Sequence, residues 1–158
     1  MFVNLFVAAS NVVGLWPVWV AFERRRPFVG LLMAAAVVAS TLQHLSDLKH
    51  DLPGVCLQHY HRELLWFDRV TALALAGFVL HHLVVTRHLG PLRERLLWLY
   101  AAPGLVFMAG SEHYDSFVTF PGGRQHPVVQ FMAFGIFHSL WHVCAYFTLV
   151  MVLYATPL

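Results

Sequence analysis

The chain alternates between long apolar runs and short polar stretches. Five apolar runs approach the roughly 20 residues that a helix needs to cross about 30 Å of hydrocarbon. They cover residues 2–22, 27–45, 64–84 and 92–110, and most of residues 127–154. This pattern predicts an all-α fold, a polytopic bundle of about five transmembrane helices that forms a single domain over residues 1–158.

The composition supports a membrane-embedded chain. Hydrophobic residues make up 59% of the sequence and charged residues only 11%, whereas soluble domains have about a quarter charged residues. Nucleic-acid binding is therefore not expected. Cys56 falls in a polar connection and Cys144 in the middle of an apolar run, a placement that disfavours a disulfide between them. Both are predicted to be free thiols.

The basic residues predict an orientation in the membrane. Arg24, Arg25 and Arg26 directly follow the first apolar run, and no Lys or Arg precedes it, which indicates a retained span rather than a cleaved signal. The connection at residues 87–95 is also rich in arginine, whereas the connections at 46–63 and 111–126 mix acids with histidines. Because arginine-rich loops face the cytoplasm, the N-terminus is predicted outside and the C-terminus inside.

Polar residues within the spans concentrate at one predicted membrane face. Ser40 and His44 end the second run, Asp68 begins the third, and His138 and His142 lie in the last. An ionisable residue in a span costs roughly 2.5–3.5 kcal/mol on insertion, so such residues are commonly functional or paired. Residues four apart share a helical face. The three histidines are therefore predicted to converge on one point.

Three imidazoles converging on one point suit a zinc ion, which takes three protein ligands in catalytic sites and leaves a fourth position for water. Asp68 would orient a ligand or accept a proton from that water. Two other interpretations stay open. In the first, the histidines would donate hydrogen bonds to backbone carbonyls or line a cavity that contains water. In the second, they would ligate a haem iron, although a pair on one helical face suits a small ion better than the two sides of a flat ring.

These residues also resemble a known family. A serine four residues before a histidine, an aspartate early in the next helix and a late His-x-x-x-His are the pattern of the CREST superfamily of membrane hydrolases and receptors. That superfamily includes the alkaline ceramidases and the progestin/adipoQ receptors. The resemblance implies zinc on His44, His138 and His142, with Ser40 and Asp68 flanking the metal-bound water.

The closest likeness within the superfamily is to the branch with myomaker and the GPI-specific phospholipase A2. Three stretches carry it: residues 46–68, residues 102–115 with Glu112, His113 and Asp115, and residues 138–142. That family has seven helices, so the resemblance implies a reduced version of its fold. Residues 116–137 are interpreted as an insertion before the last histidine pair.

Two functions follow as hypotheses. The first is a zinc-dependent integral membrane hydrolase that cleaves a lipid amide or ester through metal-activated water, with Asp68 and Ser40 as catalytic residues and membrane lipids as partners. The second is a non-catalytic structural subunit of a larger membrane complex, or a fusogen-like protein, that keeps the fold. Its partners would be neighbouring membrane subunits packed on its lipid-facing surface.

Overall fold

The structure is a computed structural model that describes residues 2–47, 55–85, 91–118 and 127–155. In these ranges the chain forms five helices and no strand, which confirms the predicted all-α fold. We number the helices in chain order: α1 Phe2–Glu23, α2 Pro27–Ser46, α3 His61–Val85, α4 Pro91–Val118 and α5 Pro127–Ala155.

The helix bounds follow the apolar runs closely, with two departures. α4 continues to Val118, eight residues beyond the predicted end at residue 110, because backbone hydrogen bonding carries a helix onward after its apolar stretch ends. α1 is interrupted in its middle, where Asn11–Gly14 tightens into a 3₁₀ turn between two α-helical stretches. The hydrophobic pattern holds no sign of this turn.

Four stretches in the described part of the chain are long and apolar enough to cross a membrane. They are Phe2–Glu23, Pro27–Ser46, Gln58–His81 and Phe131–Ala155. The predicted fourth span at residues 92–110 is helical but is not among them. Its apolar stretch, residues 96–110, is only 15 residues long, and Arg95 and Glu112 lie close to its two ends. The chain is thus a helical membrane protein with four clear candidate spans among the described residues.

α1, α2 and α5 form the centre of the bundle, and α3 and α4 flank it. α5 packs along α4 and against α1, while α2 lies between α1 and α3. A buried apolar cluster fills the space between the central helices and includes Val20, Met33, Val37, Leu149 and Leu153. This arrangement places the end of α2 beside the middle of α5.

A glycine allows α1 to approach its two central neighbours closely. Gly14 ends the 3₁₀ turn, and a Cβ atom added to it would lie 2.7 Å from Cζ of Tyr146 on α5 and in hard contact with Cγ2 of Val37 on α2. Small residues at such positions let membrane helices pack backbone to backbone. Gly14 is therefore a packing requirement of the three-helix centre.

The substitution Gly14→Ala is expected to destabilise the protein by about 1–3 kcal/mol, because the new methyl group has no space between Val37 and Tyr146. Thermal unfolding in detergent, followed by circular dichroism, measures the effect. Gly77→Ala is the matched control, since a Cβ atom added to Gly77 on α3 meets nothing within 4 Å and alanine favours a helix over glycine. Equal melting temperatures for the two variants would contradict the packing argument.

Candidate metal centre

Three histidines from two helices meet inside the bundle. His44 lies in the last turn of α2, and His138 and His142 lie one turn apart on α5. The ring centroids of His44 and His138 are 4.7 Å apart, those of His138 and His142 4.7 Å, and those of His44 and His142 5.5 Å. One nitrogen from each ring lies within 4.8 Å of the other two. The predicted convergence of the three imidazoles is confirmed.

The geometry of the three rings fits a small tetrahedral ion. Zinc–nitrogen bonds of about 2.0–2.1 Å at tetrahedral angles place ligand nitrogens about 3.3 Å apart. The three nitrogens, at 4.8 Å or less, would therefore each need to move by roughly an ångström, within reach of small side-chain rotations. The Nε2 atom of His44 is buried and makes no hydrogen bond within the described ranges, as expected for an atom suited to a metal. The short ring separations leave no room for a flat macrocycle between the rings.

Ser40 links the histidine cluster to Asp68. Its Oγ atom lies 3.4 Å from Nε2 of His142, and its hydroxyl hydrogen-bonds to the Asp68 side chain on α3. Asn11 donates a hydrogen bond of 3.2 Å to Ser40 Oγ from the 3₁₀ turn of α1. The hydroxyl of Tyr146 in turn donates to Oδ1 of Asn11 over 2.6 Å. Asp68 is thus one side chain away from the cluster, and Ser40 is held in place by a buried polar chain.

Two further serines contact the Nδ1 atoms of the α5 histidines. Ser10 Oγ on α1 lies 2.8 Å from Nδ1 of His142. Ser111 Oγ on α4 lies 3.3 Å from Nδ1 of His138. The histidine pair is therefore contacted by hydroxyl groups from two different helices that both pack against α5.

All five residues predicted for the site lie together: Ser40, His44, Asp68, His138 and His142. Ser10, Asn11, Ser111 and Tyr146 were not predicted. The sequence does carry signs of two of them. Tyr146 continues the face of His138 and His142 at the same spacing of four, and Asn11 is a polar residue in a mainly apolar span, where such groups are costly.

Outside the cluster, His59 and His81 are exposed, as are Glu112 and His113 on α4. The side chain of Asp115 lies outside the described residues. Both cysteines are free thiols, as predicted.

The fold and the site together define a class: a helical membrane protein with a largely buried three-histidine cluster near a serine and an aspartate. Comparisons of the chain with protein-family models, with curated proteins and with solved structures found no match.

Proposed function

We propose that the protein is a zinc-dependent membrane hydrolase that cleaves an amide or ester bond of a lipid. The observation that carries the proposal is the meeting of His44, His138 and His142 at metal-ligand separations, with Asp68 joined to the same point through Ser40. A zinc ion held by three imidazoles supplies a Lewis acid for a carbonyl and water that ionises near neutral pH.

In this proposal each residue of the site has its own role. The three histidines would hold the cation. Asp68 takes the proton from the attacking water and returns it to the leaving group, the role of a general base and then a general acid. Ser40 orients the Asp68 carboxyl through their hydrogen bond, and Asn11 holds Ser40 in turn. The exposed apolar surfaces of α3 and α5 adjoin the lipid that would supply the substrate.

The resemblance of the five-residue pattern to the CREST superfamily supports the same proposal. Under this proposal the chain would be a reduced member of that family, with five helices in place of seven. The arginine pattern adds the orientation, with the N-terminus outside. Arg24 stacks over the ring of Tyr154, with 4.5 Å between its guanidinium carbon and the ring centroid. This contact lies at the end of α5 that is distant from the histidines, so the histidine cluster would face the outer side.

The proposal is tested on the full chain purified in detergent micelles. We expect about one zinc ion per chain and turnover of an amide-linked sphingolipid or an ester-linked phospholipid in mixed micelles. Chelation should abolish turnover, and added zinc should restore it. A chain that binds no zinc after incubation with the ion would overturn the proposal.

A second candidate is a non-catalytic subunit of a membrane assembly in which the cluster only stabilises the bundle. The exposed apolar side chains of α3 favour it, among them Trp66, Val70, Leu73 and Leu80, because this surface offers a face on which another membrane helix packs. Zinc binding without turnover of either lipid, together with stoichiometric co-purification of other membrane proteins, would support this candidate over the hydrolase.

A further inference from the structure

The two serines that contact the α5 histidines share one hydrogen-bonding arrangement. Ser10 donates its hydroxyl proton to the carbonyl of Val7 over 2.6 Å. Ser111 donates to the carbonyl of Met108 over 3.0 Å. In both cases the acceptor lies three residues earlier on the helix that carries the serine. Each hydroxyl is thus already a donor before its contact with a histidine is considered.

The number of protons available then decides which atom is the donor in each contact between serine and imidazole. A serine hydroxyl has one proton but two lone pairs, so a hydroxyl that donates to a carbonyl can only accept from the imidazole. Nδ1 of His142 must then be the donor to Ser10 over 2.8 Å, and Nδ1 of His138 the donor to Ser111 over 3.3 Å. A neutral imidazole that carries its proton on Nδ1 has its lone pair on Nε2.

We propose that Ser10 and Ser111 are positioning residues that hold His142 and His138 in the Nδ1–H tautomer and turn both Nε2 lone pairs toward the cation site. Ser40 gives its one proton to Asp68, so it donates none to Nε2 of His142, which lies 3.4 Å from its Oγ atom. This long contact leaves the Nε2 lone pair available to a cation. Residues that fix the far nitrogen of a metal-ligating histidine typically contribute 10–100-fold to metal affinity.

This inference rests on the proposed function for its role in metal binding, but the tautomers themselves exist without a metal. The first measurement therefore uses the metal-free protein, treated with chelator and labelled with ¹⁵N at histidine, at about pH 8, where exposed imidazoles are neutral. Spectra of His138→Gln and His142→Gln assign the two rings. We expect a protonated Nδ1 and an unprotonated Nε2 on both. A proton on Nε2 of either ring in the unmodified protein would overturn the inference.

Substitutions test the effects of Ser10 and Ser111 separately. Ser10→Ala should raise the population of the other tautomer at His142 alone, and Ser111→Ala at His138 alone. Ser10→Thr keeps a hydroxyl at the same position and should keep the tautomer. Unchanged ring signals in both alanine variants would show that something else sets the tautomers and would overturn the proposal.

Zinc affinity, measured by competition with a chromophoric chelator, is the second readout. Each alanine variant should bind zinc about 10–100-fold more weakly, and Ser10→Thr should stay within about threefold of the unmodified protein. Thr148→Ala is the matched control, because the Thr148 hydroxyl on α5 also donates to a backbone carbonyl, that of Cys144, over 2.8 Å. Its affinity should not change. Alanine variants with unchanged affinity would contradict the positioning role.

The two proposals fail in distinguishable ways. If the chain shows the expected tautomers but binds no zinc, the hydrolase proposal is overturned and the assignment of hydrogen-bond donors still holds. If the chain binds zinc fully but the metal-free protein has a proton on Nε2 of His138 or His142, the positioning role of Ser10 and Ser111 is overturned and the metal centre still holds.

Discussion

The His142→Ala variant should bind less than about a tenth of a zinc ion per chain, against about one for the unmodified protein. With His142 removed, only His44 and His138 would remain as imidazole ligands, too few for a stable site. His142 is also buried beside its two partners, so water would have to replace its nitrogen in a confined space. Metal analysis after gel filtration measures the change.

His59→Ala is the control for this variant, since His59 is an exposed histidine in the short turn before α3. It should keep its full zinc content. A second measurement distinguishes the loss of a zinc ligand from the loss of the folded structure. Zinc at about 100 times its Kd should stabilise the unmodified protein by about 2.7 kcal/mol and leave the melting temperature of folded His142→Ala unchanged. A folded His142→Ala variant with full zinc occupancy would contradict the ligand assignment.

The sequence was sufficient to predict the helices and the histidine cluster for two physical reasons. Hydrocarbon thickness sets the length of a span, so apolar runs locate the helices to within a few residues. Histidines four apart share a face, so His138 and His142 had to point the same way. His44 then needed only to lie at the same depth, and its place at the end of the second run indicated that depth.

The contacts of Ser10 and Ser111 could not be predicted in the same way. They depend on how α1 and α4 are rotated about their own axes. Spans that are apolar on nearly every side carry little information about which face is buried. The 3₁₀ turn at Asn11–Gly14 adds a further change of direction within α1, and it places Asn11 against Ser40. Local propensity alone does not specify such a turn.

The polar chain from Tyr146 through Asn11 to Ser40 explains why the bundle tolerates buried polar groups at its centre. Each member has a partner: Tyr146 donates to Asn11, and Asn11 donates to Ser40. In a low-dielectric interior satisfied hydrogen bonds are strong and unsatisfied ones are costly, so the chain of contacts holds these side chains in one arrangement. Ser40 is thereby fixed between His142 and Asp68, which is what the proposed chemistry requires.

Asp68→Asn is the variant that separates catalysis from metal binding. Asparagine has the size of aspartate and can still contact Ser40, but it cannot accept a proton. The zinc content should therefore stay near one per chain while kcat falls by about 10²–10⁴-fold, the usual contribution of a general acid–base residue. KM should change little. The lipid substrate identified in mixed micelles serves for the measurement.

Glu63→Gln is the matched control, because it makes the same change from carboxylate to amide on the same helix, at an exposed position five residues earlier. It should leave kcat within about twofold, since exposed surface substitutions rarely act at a distance. If Asp68→Asn kept most of its activity, proton transfer would have to be assigned to another group. If it lost zinc together with activity, Asp68 would act by holding the ligand set rather than by moving a proton. Because Ser40 connects Asp68 to the His142 side of the cluster, the ratio of the two losses measures directly which role the carboxylate has.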